Sequence, residues 1–278
     1  MAAEELHLQR VHRVDVRIPQ VDRAAQHRLA LEELRHAGRR EHARDRTRVL
    51  ILNVPHNPTG GIATPDDLAR LAALAERHDL LVISDEVYWH ITYGAHSNSI
   101  AALPGMLQRT VIVDGFSKGY SMTGWRLGYG VMPLVLAGPM TTLIINNLSC
   151  TATFVQYAGL AALQGPQDSV HRMVAGLKTK RDLVIKGLNA IEGVTCASPA
   201  GAFYAFPDIS GLLDRTGLTC ETFADRLLAE AYTAVLAGTA FGAAGEGHLR
   251  LSYAADPANL ELALERIRNW VSSLAAVV

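Results

Sequence analysis

The sequence predicts an α/β fold: a mainly parallel sheet flanked by helices, followed by a smaller C-terminal α+β domain. Two observations lead there. Short, nearly continuous apolar runs recur at "TRVLILNV" (47–54), "LLVISDEV" (80–87) and "TVIVDG" (110–115), with a helical stretch between the first two. Strands apolar along their whole length read as buried on both faces, as in a parallel sheet covered by helices. Beyond about residue 166 the texture changes to short strands gathered with a few helices, which suggests a second, smaller unit. A chain of 278 residues can hold both units, each with a sizeable core.

Taken in order, 47–54 reads as the first strand. "TPDDLARLAALAERHD" (64–79) reads as a helix, with Thr64 as N-cap and Pro65 at the first helical position. The runs 80–87 and 110–115 are further strands, and "RLGYGVM" (126–132) adds another. Helices are expected at 133–147, 151–163 and 167–191. Then "GVTCAS" (193–198), "AFYAFP" (202–207), "TAVLAG" (233–238) and "HLRLSYA" (248–254) read as short strands, interrupted by a helix near 219–231. An amphipathic helix over 257–276 closes the chain. The expected division is a large domain over 1–165 and a small one over 166–278, with a cleft between them.

The first 48 residues stand apart, with 11 of the 22 arginines, five of the 11 histidines and no lysine. "LALEELRHAGRREHARD" has helical character, but most of this segment is too polar to bury much and reads as a solvated helix with loops. Composition narrows the partners. The net charge of −1 gives no reason to invoke nucleic acid or a membrane. No run of 18 apolar residues is present, and the N-terminus lacks the apolar stretch of a signal peptide. Cys150, Cys196 and Cys220 are widely spaced and odd in number, matching no metal or disulfide framework. A cytoplasmic protein without a metal is expected.

Lysine usage points to the chemistry. The chain has four lysines, at 118, 178, 180 and 186, against 22 arginines. The last three lie on a helix with other polar residues, where solvation accounts for them. Lys118 instead follows a strand, in "DGFSKGYSMTGWRLGYG" (114–130). In open α/β sheets ligands bind beyond the carboxyl ends of the strands. There the chain offers Asn57 in "NVPHNPTGG", Asp85 and Tyr88 in "SDEVY", and Ser117 and Lys118 in "GFSK". Each alone has a plain explanation as a turn, cap or solvated residue. Together they match one group.

An amine can lose a proton and attack an aldehyde, which a guanidinium cannot do. Pyridoxal phosphate is the commonest aldehyde held this way. Its ring nitrogen needs a carboxylate, which Asp85 offers, and its ring oxygen needs donors, for which Asn57 and Tyr88 are available. Its phosphate needs hydroxyls and cations, which Ser117 and Arg126 provide. Arg250 lies in the alternating strand "HLRLSYA", on the face opposite Leu249 and Leu251, and its planar fork suits a carboxylate.

The stretches "NPTG", "SDEVY", "FSKGYSMTGWRLGY" and "LRLSYA", in this order, resemble the class I/II aminotransferases of PLP fold type I, over roughly residues 47–255. "AGAFYAFP" (200–207) and "GTAFG" (238–242) fit the same pattern. The resemblance implies that Lys118 is the Schiff-base lysine and proton carrier. It implies that Asp85 pairs with the pyridine nitrogen, Asn57 and Tyr88 bind the ring oxygen, Ser117 and Arg126 hold the phosphate, and Arg250 binds the substrate α-carboxylate. The implied reaction moves an amino group from an L-amino acid to a 2-oxo acid, in a homodimer. Family members carry a longer portion before the "NPTG" region, so this chain is expected to be N-terminally shortened. Two alternatives stay open: a shortened protein that binds pyridoxal phosphate with little turnover, and a C–S β-lyase using the same cofactor set.

Overall fold

The computed structural model describes residues 47–94 and 98–275. The expected N-terminal helix and loops lie outside the described residues. Strand β1 (Val49–Asn53) leads through a long turn to helix α1 (Pro65–Arg77) and back to β2 (Leu81–Asp85). β3 (Thr110–Gly115), the one-turn helix α2 (Phe116–Gly119) and β4 (Gly128–Val131) follow. These strands form one sheet in the order β1-β2-β3-β4. β1, β2 and β3 run parallel, with Asn53 beside Asp85 and Asp85 beside Val113.

α1 starts where the sequence places it. The Thr64 hydroxyl accepts from Asp67 N–H while the Asp67 carboxylate accepts from Thr64 N–H, a reciprocal box that satisfies two otherwise orphaned donors. A cap of this kind contributes about 1 kcal/mol. The apolar side of α1 (Leu68, Leu71, Ala72, Ala75) packs on Leu52 and Val82, forming one hydrophobic cluster with Ile100 and Met106.

The edge strand β4 runs antiparallel to β3, with Asp114 beside Tyr129 and Gly115 beside Gly128, so the sheet is mainly and not wholly parallel. One expectation about this sheet needs correction: the strands are not buried on both faces. The row carrying Leu52 and Val82 is covered by α1, but Ile51 is 63% and Val113 42% exposed on the other face. Apolar composition marks strands made for burial, and here the cover on one face is missing among the described residues.

Helices α3 (Leu134–Leu148), α4 (Thr153–Gln164) and the 22-residue α5 (Asp168–Asn189) come next. α3 carries no charged residue and has no buried one, and Leu134 is 89% exposed. A helix apolar all round is ordinarily a buried helix. On α4, Phe154 and Tyr157 are also largely exposed.

The C-terminal part holds β5 (Tyr204–Ala205), α6 (Ser210–Thr216), α7 (Cys220–Ala231), β6 (Leu236–Ala237), β7 (Leu249–Ser252) and α8 (Pro257–Ala275). Its three strands form an antiparallel sheet in the order β5-β7-β6. The second hydrophobic cluster lies here, joining α5, α7, α8 and β7 through residues such as Leu188, Phe223, Leu227, Leu249 and Trp270, and it reaches back to Tyr88 and Ile91. The expected strand at 193–198 is reduced to a single bridge, Thr195 to Asp208. The Asn189 side chain bonds both the N–H and the C=O of Cys196, at 2.8 Å each, and so replaces a ladder partner. The run 202–207 shortens to two residues because Ala202 takes a positive φ of 54°. Helix α6 was not foreseen. Among the described residues, no helix is long and apolar enough to cross a membrane.

Candidate active site

The "NPTG" turn is held by the segment that leads into "AFYAF". Gly60 has φ +67°, and a Cβ there would lie 2.4 Å from Pro199 Cβ. With none, the Gly60 carbonyl accepts from Ala200 N–H at 3.0 Å and Gly201 N–H at 2.8 Å. That contact locks the turn after β1 against the start of "AFYAF" and so places Phe203 and Tyr204 beside the carboxyl edge of the main sheet. Within the turn, Asn57 N–H donates to Asn53 Oδ1 at 2.9 Å, and Asn53 Nδ2 donates to the Asp85 carbonyl at 3.4 Å. Asn53 therefore ties Asn57 to the end of β2.

His56, inside the same turn, has Nδ1 2.9 Å from Thr59 Oγ1. Burial of the ring holds its imidazole down at about 4, against an ordinary 6.5. Between those values the unfolded chain takes up a proton that the folded one refuses, so stability is full above pH 6.5 and falls as pH drops through 4. Acid titration of the thermal midpoint measures this. His56→Asn should flatten that part of the curve, and an unchanged slope would contradict a neutral buried ring.

Asp85 ends β2 on the sheet face left open at Ile51 and Val113. Burial pushes its carboxyl above its ordinary value, partly offset by hydrogen bonding from Val87 N–H and Asn53, while nearby Asp114 adds to the rise. Its Oδ1 accepts from Val87 N–H at 3.3 Å. Among the described residues this carboxyl forms no ion pair.

Three residues on, Tyr88 is buried, and its hydroxyl lies 2.8 Å from the Tyr204 hydroxyl. Burial first, and then that bond, raise the Tyr88 phenol well above its usual range, so it is a phenol rather than a phenolate at neutral pH. The Tyr88 ring meets Phe203 edge-on at 5.5 Å, and Lys118 Nζ lies 5.8 Å from the Phe203 centroid. Phe203 therefore sits between the amine and the phenol.

Lys118 lies in α2 and Ser117 beside it. A cavity of about 420 Å³ opens there, lined by both residues with Ser121, Thr123, Phe203 and Lys180. Lys180, expected to be solvated, lies partly exposed at the edge of this cavity. Ser117 is linked to Arg126 through one residue: Thr123 Oγ1 donates to the Ser117 carbonyl at 3.0 Å, and Arg126 Nη1 donates to the Thr123 carbonyl at 3.0 Å. Arg126 itself is in the left-handed region (φ 55°), a conformation that turns the chain into β4.

Arg250 projects from β7 between two rings, its guanidinium carbon 4.6 Å from the Tyr204 centroid and 4.9 Å from Phe241. Its Nη1 donates to Asn57 Oδ1 at 3.1 Å, while its buried Nε has no hydrogen-bond partner among the described residues. So Arg250 joins Asn57, Asn57 joins Asn53 and Asn53 joins the Asp85 backbone, while Tyr204 leads from Arg250 through Tyr88 and Phe203 to Lys118. The structure brings these together, with Ser117 beside Lys118 and Arg126 on the outer rim. Sequence reasoning missed Asn53, Phe203, Tyr204 and Phe241 as members of the site. The signals for the last three were present in "AFYAF" and "GTAFG", read only as matching a pattern.

The donor set fits pyridoxal phosphate. Among the described residues Asp85 forms no ion pair and would receive a protonated pyridine nitrogen, Lys118 has no carboxylate partner, and the buried Arg250 Nε has no acceptor. Among those residues there is no group of three acidic, His or Cys side chains suited to a metal ion.

Comparison with known proteins agrees with this geometry. The family "Aminotransferase class I and II" matches residues 8–267. An aspartate aminotransferase of Pyrococcus abyssi is 42% identical over 243 residues, covering 86% of this chain and 60% of the relative. An aromatic-amino-acid aminotransferase of Thermococcus litoralis is 41% identical, with the same shares covered. The crystal structure of an aromatic aminotransferase from Pyrococcus horikoshii OT3 superposes with a TM-score of 0.81 at 43% identity, covering 89% of this chain and 65% of that one. The chain thus spans about three-fifths of the length of the curated relatives it matches. With the motifs, the mainly parallel sheet and these likenesses in agreement, the chain belongs to the class I and II aminotransferases, a pyridoxal-phosphate-dependent family of PLP fold type I.

Proposed function

We propose that this chain carries the reacting centre of an aminotransferase that moves an amino group from an L-amino acid to a 2-oxo acid. The observation that carries this is the gathering of Lys118, Tyr88 and Arg250 around Phe203 and Tyr204, with Asp85 at the adjoining strand end. Pyridoxal phosphate, when bound, supplies an aldehyde for an amine to condense with and a ring that withdraws electrons from the substrate α-carbon. Asp85 would hold the ring nitrogen protonated. Tyr88 and Asn57 would face the ring oxygen, and Ser117 and Arg126 the phosphate.

Arg250, steadied by Asn57 and two aromatic faces, grips the α-carboxylate and so fixes the Cα–H bond relative to Lys118. Lys118 is the base that takes the α-proton and the acid that returns one. The amino donor leaves as a 2-oxo acid, and the acceptor 2-oxo acid leaves as an amino acid. The test is turnover by the protein supplied with pyridoxal phosphate, an L-amino acid and 2-oxoglutarate. Parallel double-reciprocal plots support the proposal. Pyruvate and ammonia released without an acceptor would instead identify a C–S β-lyase.

A second reading, cofactor binding with little turnover, is favoured by the open sheet face that carries Asp85. Retention of pyridoxal phosphate without transamination would decide for it. We also take the chain to divide near residue 165 into a large and a small domain, and to work in the cytoplasm. We further take it to act as a homodimer, in which a second copy covers the apolar sides of α3 and α4.

A further inference from the structure

The inference concerns Tyr204, whose hydroxyl the roles above leave unused, and it rests on the proposed cofactor site. Three contacts meet at this side chain. Its hydroxyl lies 2.8 Å from that of Tyr88, its ring stands edge-on to the Tyr88 ring at 5.8 Å, and its face supports the Arg250 guanidinium at 4.6 Å. Both tyrosines are buried, so neither hydroxyl has water to turn to.

We propose that Tyr204 is a positioning residue that couples the two halves of the site, donating its hydroxyl proton to Tyr88 and bearing Arg250 on its ring. The donor direction follows from counting protons. The two hydroxyls hold two protons, and one of them occupies the bond between the oxygens. Tyr88 can offer its own proton to a ring oxygen of the cofactor only if Tyr204 supplies the shared one. Phenylalanine at 204 would leave Tyr88 without that donor, whereas the ring beneath Arg250 would remain. A smaller aliphatic residue would remove both supports. The two functions of Tyr204 are therefore separable by substitution.

A donor to the cofactor's ring oxygen favours the form that carries more negative charge there, and so lowers the pH at which the bound cofactor loses its proton. Wild type, Tyr204→Phe and Tyr204→Leu, each loaded with pyridoxal phosphate, are titrated by visible absorbance and assayed for binding of succinate, a non-reacting carboxylate. Tyr204→Phe should raise the spectral midpoint by roughly half to one pH unit, the worth of one neutral hydrogen bond, with succinate affinity unchanged. Tyr204→Leu should also weaken succinate by roughly 3- to 30-fold, the range of a cation–π contact. A merely structural role would move both readouts together in Tyr204→Phe. An unmoved midpoint in Tyr204→Phe, or a loss of succinate affinity there, overturns the proposal while leaving Lys118 in place. Wild type that retains no cofactor absorbance after gel filtration overturns the cofactor assignment, and the role of Tyr204 with it. Should Tyr204→Leu not fold, the Tyr204→Phe titration decides alone.

Discussion

Lys118→Ala, supplied with pyridoxal phosphate, is expected to lose the visible band of the bound cofactor and to turn over more slowly by a factor of about 10² to 10⁴ or beyond, the usual worth of a positioned acid–base group. Stability should hardly change. Lys118 is half-buried on the one-turn helix α2 and belongs to neither hydrophobic cluster, so its truncation leaves no core cavity. Lys118→Arg is the sharper variant. It keeps the positive charge, but a guanidinium does not condense with an aldehyde, so band and turnover should vanish together. Absorbance, steady-state rates and thermal melts on the three proteins measure this. A band retained in Lys118→Arg would refute the covalent role.

Arg250→Ala is expected to lower kcat/KM for an L-amino acid by roughly 30- to 5,000-fold, corresponding to about 2–5 kcal/mol for truncating one member of a buried charge pair. The loss should appear in both KM and kcat, because the grip both binds the carboxylate and aims the Cα–H bond at Lys118. Arg250 is held between Tyr204 and Phe241 and tethered to Asn57, so most of its orientation is fixed before a carboxylate arrives. Arg250→Lys should recover only part of the loss, since an ammonium cannot make the two parallel bonds of the fork. A primary amine lacking the carboxylate serves as control: Arg250→Ala should leave its slow reaction unaffected. Equal losses with both substrates would mean that Arg250 acts on the fold and not on the carboxylate.

Much of this site was legible before any coordinates, because strand ends announce themselves. Asn57, Asp85 and Lys118 each follow an apolar run, and a sheet of parallel strands brings such positions to one edge. The cap at Thr64 was equally plain, since the Thr-Pro-Asp-Asp order satisfies the first turn by itself. What could not be read was pairing. β4 looks like any other strand, and nothing local marks that it runs against β3. The strand expected at 193–198 failed because Asn189 competes for its backbone groups, a contact between residues on separate elements. The Tyr88–Tyr204 bond spans 116 positions, and no local pattern signals it.

The bare helix α3 has a consequence for how this protein behaves on dilution. If its cover comes from another copy, the folded form is favoured by mass action, and chain concentration sets stability as surely as temperature does. Assays at trace amounts and at storage strength would then sample different populations, and a cofactor affinity measured in one need not hold in the other.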